Sequence, residues 1–140
     1  SVIEYNRKKL PIFAECGGFM YLNENITDFE KKKIDMLSLI PGTIEMTKKL
    51  VAMGYRQGEL IKDCILGSKG DIITGHEFHY SKFIPKESET DSFSLKYLEG
   101  SRKDGYSSEN IFASYLHFHF AANVEASEAF IKSCLSFKHK

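Results

Sequence analysis

Cys16 is preceded by Ala14 and Glu15 and followed at once by Gly17 and Gly18. A cysteine at a tight strand-to-helix turn has an exposed sulfur, the N–H groups of the following helix favour its thiolate, and glycines leave room for a substrate carbonyl. The chemistry of such an elbow is nucleophilic attack on an acyl group, with the Gly17 N–H positioned to bind the oxyanion. The attack needs a base, and Ser114-Tyr115-Leu116-His117-Phe118-His119-Phe120 supplies two histidines that strand alternation would place on one face. Cysteine is also among the most buried residue types, and a histidine on an apolar strand is more often a hydrogen-bonded core residue, so spacing alone leaves both readings open. Glu77 and His79, two apart in Gly75-His76-Glu77-Phe78-His79, form a third polar pair. His76 and His139 acquire no role, and the His-x-His spacing lacks the cysteine or carboxylate set of a metal site, so none is expected.

The elements that must carry these residues follow from pattern. Leu10–Glu15 is short, apolar and opened by Pro11, a buried strand running into the Cys16 turn, and Phe19–Leu22 continues as a short helix stopped by 23–27. The opening residues, ending Arg7-Lys8-Lys9, look like the last turns of a helix, which predicts a chain cut from a longer one. From Ile34 to Ile84 the sequence has sheet texture, with strands expected over Ala52–Ile61, Cys64–Leu66 and Ile72–Phe83. Residues 28–33 and 85–92 read as polar loops, Phe93–Leu98 and Ile111–Phe120 as strands. The end is a helix capped by Asn123, with Phe130, Ile131, Cys134 and Leu135 as its apolar stripe.

Composition bounds the classes. The 140 residues carry 19 basic and 19 acidic side chains, 42% apolar residues, three cysteines and no tryptophan, which fits one globular domain and lacks the basic surplus of a nucleic-acid or anionic-membrane binder. No apolar run approaches the roughly 20 residues of a spanning helix. Three widely separated cysteines read as free thiols, which predicts a cytoplasmic protein.

Four ordered segments carry a resemblance. Pro11-Ile12-Phe13-Ala14-Glu15-Cys16-Gly17-Gly18-Phe19-Met20-Tyr21-Leu22, Met53-Gly54-Tyr55-Arg56, Gly75-His76-Glu77-Phe78-His79-Tyr80-Ser81, and Asp104-Gly105-Tyr106 through Ala113 to Phe120 together resemble the glutamine amidotransferase half of the cobyrinate (or hydrogenobyrinate) a,c-diamide synthases. The resemblance implies an α/β, class I amidotransferase-like (flavodoxin-like) sheet with flanking helices, whose N-terminal part is missing here. It also implies that residues 1–140 are the C-terminal portion of a glutaminase domain, without its ATP-dependent synthetase domain. Cys16 would attack the side-chain amide of glutamine and His117 would be its base. Gly17, Glu77, His79 and His119 are implied as oxyanion or substrate-binding candidates; for Glu77 and His79 a structural role, holding sheet edge and loops by hydrogen bonds, is favoured over orienting His117 or binding the glutamine ammonium.

The ammonia would pass to the synthetase domain, which carries the tetrapyrrole and uses ATP and Mg²⁺ to activate its a- and c-carboxylates; no phosphate-binding GxxxxGK[ST] loop occurs in this chain. Two departures stand out. The position two residues after His117, where many class I enzymes carry a glutamate, is His119, so spacing names no carboxylate orienter. The glycine-rich loop that precedes the nucleophile strand in the family is not among these residues. The alternatives are an amidotransferase acting on nickel-sirohydrochlorin, cobyric acid or a peptidoglycan precursor, or a catalytically inactive docking domain. A sheet lacking its upstream strands would expose an apolar edge, which predicts homo-oligomerisation or poor solubility.

Overall fold

The computed structural model describes residues 1–88 and 92–138; His139 lies outside them. Strand β1 (Ile12–Glu15) runs parallel to β11 (Ile111–Ser114), which pairs antiparallel with β10 (Tyr106–Ser107). The register sets Ile12 beside Ile111, Phe13 beside Phe112, Ala14 beside Ala113 and Glu15 beside Ser114. Alternation therefore sends Ile12, Ala14, Ile111 and Ala113 to one side, with Phe19, Leu22, Ile40 and Ile44, and Phe13 and Phe112 to the other, with Leu60, Ile73 and Leu116. This small sheet separates two cores, and its strand ends are held from both faces.

A second sheet has the order β3 (Lys33–Asp35), β2 (Asn23–Thr27), β4 (Ile40–Met46), β7 (Ser81–Pro85), with β2 and β4 parallel. The third is antiparallel, in the order β6 (Ile72–His79), β5 (Ala52–Leu60), β8 (Leu95–Tyr97), β9 (Lys103–Asp104). Helices α1 (Val2–Arg7), α2 (Gly17–Leu22) and α3 (Val124–Lys138) and a 3₁₀ turn at Phe120–Ala122 complete the described chain. Among the described residues no helix is long and apolar enough to cross a membrane.

The sequence placed β1, α2 and β5 within a residue or two. It missed β2: Asn23–Thr27, read as a stop, is a strand entered directly from α2, because the Asn23 amide group donates to the Phe19 carbonyl at 2.8 Å and closes the helix. Cys64–Leu66 is a turn, closed by reciprocal backbone bonds between Cys64 and Gly67. The run Ile72–Phe83 breaks at Tyr80 into two strands of different sheets. Asn123 accepts the first helical N–H, from Ser127, on its carbonyl, but its side chain is spent on Thr74 and His119 rather than on the helix. Of the helical stripe, Phe130 packs on Phe13 and Phe120, while Ile131 and Leu135 are exposed.

Candidate functional site

Strand β1 delivers Cys16 into a turn that only strain permits. Its φ of 47° and ψ of −104° lie where a non-glycine residue is rarely found. The turn is pinned on both sides: the Cys16 N–H donates to the Ser114 carbonyl at 2.8 Å, continuing the β1–β11 ladder, and the Cys16 carbonyl accepts the Met20 N–H at 3.0 Å, opening α2. Gly17 and Gly18 are exposed, and a side chain at Gly17 would meet nothing within 4 Å. The elbow expected from the sequence is present in its backbone.

Its electrostatics differ from the expectation. Burial pushes the half-buried Cys16 thiol up; the Gly17 N–H pulls it down, but the charges of Asp104 and Glu15 add to the rise. The Gly17 N–H at the start of a six-residue helix does not offset lost hydration and two nearby carboxylates. Cys16 therefore rests as a thiol, and attack requires an acceptor for its proton.

His117 stands at the same end of the sheet, three residues beyond Ser114, on a segment that has left the strand. Its backbone pairs with His76 of β6 by reciprocal bonds of 2.7 and 2.8 Å, and its Nδ1 lies 3.1 Å from the His76 carbonyl oxygen. A carbonyl only accepts, so this bond places the ring proton on Nδ1 and leaves the Nε2 lone pair free. The group that orients His117 is thus a backbone carbonyl, which no spacing of side chains in the sequence could reveal.

Close approach of the two segments depends on Gly75. A Cβ there would collide with the His117 carbonyl and lie 2.8 Å from Leu116 Cγ. Beyond this bridge a cleft of about 530 Å³ opens, lined by His117, His119, His76, Thr74, Arg56 and Tyr55 among others, though not by Cys16. His119 lines that cleft with His117, although both lie past the end of β11 and not on the strand face expected from alternation.

Glu77 and His79 are not brought to His117. Glu77, with no exposed surface, accepts from Arg56 Nε at 3.1 Å and from Arg102 Nη2, and faces His79 Nε2 at 3.2 Å. Burial alone would raise its carboxyl, but the hydrogen bonds of His79 and Arg102 and the charge of Arg102 bring it down to about 2. His79 is stacked on Tyr115 with ring centroids 3.8 Å apart, and its Nδ1 lies 2.9 Å from the Ser81 carbonyl. The pair joins β6 to the loop before β9 and to the segment leading into His117. Among the described residues no group of His, Cys, Asp and Glu is arranged to hold a metal.

The fold and the strained cysteine elbow define an α/β protein of the class I glutamine amidotransferase type. A crystal structure of a glutamine amidotransferase superposes with a TM-score of 0.64 at 17% identity, covering 95% of this chain and 66% of that one. A Thermoplasma acidophilum protein described as a GMP synthase component superposes with a TM-score of 0.61, also at 17% identity, over 99% and 64%. At the level of sequence, residues 1–124 match the model of the CobB/CobQ-like glutamine amidotransferase domain, and the chain belongs to that family. It is similar to cobyrinate a,c-diamide synthases of Priestia megaterium (38% identity over 94% of this chain and 29% of that protein), Dehalococcoides mccartyi (42%, over 88% and 27%) and Leptospira interrogans (41%, over 96% and 32%). The chain thus spans less than a third of the length of these relatives.

Proposed function

We propose that this chain is the glutaminase portion of a cobyrinate a,c-diamide synthase, with Cys16 as nucleophile and His117 as base. The observation that supports the assignment is that Cys16 forms a left-handed elbow directly after β1, while His117, three residues past the end of the neighbouring β11, has its Nδ1 committed to the His76 carbonyl. As Cys16 Sγ bonds to the side-chain carbonyl carbon of glutamine, its proton passes to Nε2 of His117 and the oxyanion faces the Gly17 N–H. Collapse returns the proton to the leaving nitrogen, giving ammonia and a γ-glutamyl thioester. Water, deprotonated by the same Nε2, then releases glutamate and restores the thiol.

The acceptor chemistry belongs outside this chain. Helix α2, which opens on Gly17 and Gly18, continues with Phe19, Met20, Tyr21 and Leu22 and offers no lysine to a nucleotide phosphate. ATP and Mg²⁺ are assigned to a synthetase domain that activates the a- and c-carboxylates of a corrinoid precursor and receives the ammonia. The names of the three relatives favour that acceptor over nickel-sirohydrochlorin, cobyric acid or peptidoglycan precursors. The three free thiols, Cys16, Cys64 and Cys134, fit a reducing cytoplasm.

The test is incubation with a diazo-ketone glutamine analogue followed by peptide mass spectrometry. A single adduct on Cys16, lost in Cys16→Ser and absent from Cys64 and Cys134, is expected. Equal labelling of all three cysteines, or none in the full-length protein, would refute the assignment.

A further inference from the structure

Glu15 is charged, half-buried and adjacent to the thiol whose ionisation it opposes. A carboxylate there disfavours the thiolate the reaction needs, so its presence calls for a compensating role in the surrounding contacts. One is visible. Glu15 Oε1 accepts the backbone N–H of Phe118 at 3.0 Å, across a sequence separation of 103 residues.

That bond completes a series. Past Ser114 the chain leaves β11, and each N–H from Tyr115 to Phe118 finds a different acceptor. Tyr115 donates to Asp104 Oδ2 at 3.2 Å, Leu116 to Ser114 Oγ at 3.2 Å, His117 to the His76 carbonyl at 2.8 Å and Phe118 to Glu15. Three of these acceptors lie on elements other than the one bearing Cys16. Glu15 alone ties the histidine segment directly to the residue before the nucleophile.

We propose that Glu15 is a positioning residue: by accepting the Phe118 N–H it fixes the backbone that carries His117 relative to the Cys16 elbow. The proposal rests on the glutaminase reading above. It assigns Glu15 no contact with substrate; it acts through Phe118 and the adjacent His117. What matters is an acceptor of the right length, so glutamine at this position retains the function and alanine does not.

The experiment uses the full-length protein with Glu15→Gln and Glu15→Ala. Three quantities are measured: kcat and KM for glutamine hydrolysis, the pH profile of iodoacetamide alkylation at Cys16, and hydrogen exchange at the Phe118 amide. Glu15→Ala is expected to lower kcat about 10- to 100-fold with KM within about 2-fold, since a displacement near 1 Å at a reacting group costs on that order. Its Phe118 amide exchanges faster while the Ile111–Ser114 amides keep their protection. Glu15→Gln keeps kcat within about 3-fold, and its Cys16 alkylation profile moves to lower pH because the neighbouring negative charge is gone.

Wild-type kcat in Glu15→Ala would overturn the proposal, as would equal damage in both variants, which would implicate the charge instead. Loss of protection throughout β11 in Glu15→Ala would also overturn it, showing a general structural role. A wild-type protein that does not hydrolyse glutamine would refute the glutaminase reading itself. That outcome is distinct from an active wild type whose Glu15→Ala variant is unimpaired, which would refute only the role of Glu15.

Discussion

Substituting Gly75 by alanine inserts one methyl group at the contact that orients His117, and its effect can be worked from the structure. The new Cβ would stand 2.8 Å from Leu116 Cγ and 3.0 Å from the His117 carbonyl carbon, and closer still to the His117 carbonyl oxygen. Ordinary carbon contacts lie at about 3.5–4.0 Å, so β6 and the His117 segment must separate by about 1 Å. The reciprocal His76–His117 bonds, now 2.7 and 2.8 Å, would stretch past the limit of a useful hydrogen bond. Two lost bonds at about 1 kcal/mol each, with overpacking of about 1–2 kcal/mol, give a destabilisation of about 3–4 kcal/mol. At about 3 °C per kcal/mol for a domain of this size, Tm falls by about 10 °C. The same displacement moves His117 Nε2 and should lower kcat/KM for glutamine by about 100-fold. Calorimetry and steady-state glutaminase assays on the full-length protein read both. Gly17→Ala, where a Cβ meets nothing within 4 Å, controls for the generic effect of a methyl group and should not lower Tm. Gly75→Ala with a Tm within about 2 °C of wild type and unchanged kcat/KM would refute the steric argument.

Other consequences are equally direct. The Glu77 carboxyl is held at about 2 against an ordinary 4.5, so its contribution is complete above about pH 4.5 and is lost as pH falls towards 2. Discounted for the solvent around Arg102, it amounts to about 2–3 kcal/mol. Acid denaturation of Glu77→Gln should lack that step; an identical acid limb in both proteins would count against the ion network. Asn123→Ala removes the acceptor of the Thr74 N–H and the donor to the Thr74 and His119 carbonyls, which should cost about 2 kcal/mol in urea unfolding, with a cost below about 0.5 kcal/mol contradicting the geometry. Because burial raises the Cys16 thiol, its alkylation rate should keep climbing with pH beyond the range of an ordinary cysteine. A rate that plateaus below pH 7 would contradict this.

The nucleophile side of the site was legible because it is local. A short apolar strand, a cysteine and two glycines in one run of sequence specify the turn; the structure adds its dihedral angles and reverses the expected effect on the thiol, which burial raises. The histidine side was legible as a residue type and not as an arrangement. Ile111–Phe120 reads as one strand because its apolar residues continue, yet pairing ends at Ser114, where Asp104, Ser114, His76 and Glu15 take over the N–H groups that a neighbouring strand would have used. Those partners are between two and 103 residues away, and hydrophobic periodicity carries no information about them. Tyr80 shows the same limit: the apolar alternation of Ile72–Phe83 runs straight through it, but the two halves join different sheets. The sequence favoured a hydrogen-bonding structural role for Glu77; its full burial and its partners Arg56 and Arg102 could not be named from spacing.

The state of Cys16 bears on how the site would work. With its thiol raised by burial and by two carboxylates, the resting pair is a neutral thiol and an imidazole whose Nδ1 proton is committed to His76. A cysteine kept as thiol is a poor nucleophile towards passing electrophiles, because the thiolate is the reactive species. In the proposed reaction, proton transfer to Nε2 would become favourable only when glutamine brings an electrophilic carbonyl to the sulfur and the developing oxyanion engages the Gly17 N–H. Such an arrangement ties activation to occupancy, and it places the demand for precision on the position of Nε2 rather than on the acidity of the thiol. On that proposal, Gly75, the His76 carbonyl and Glu15 are the groups that would meet that demand. Each acts on the backbone around His117, and for that reason none of them stands out among the side chains that chemistry alone would select.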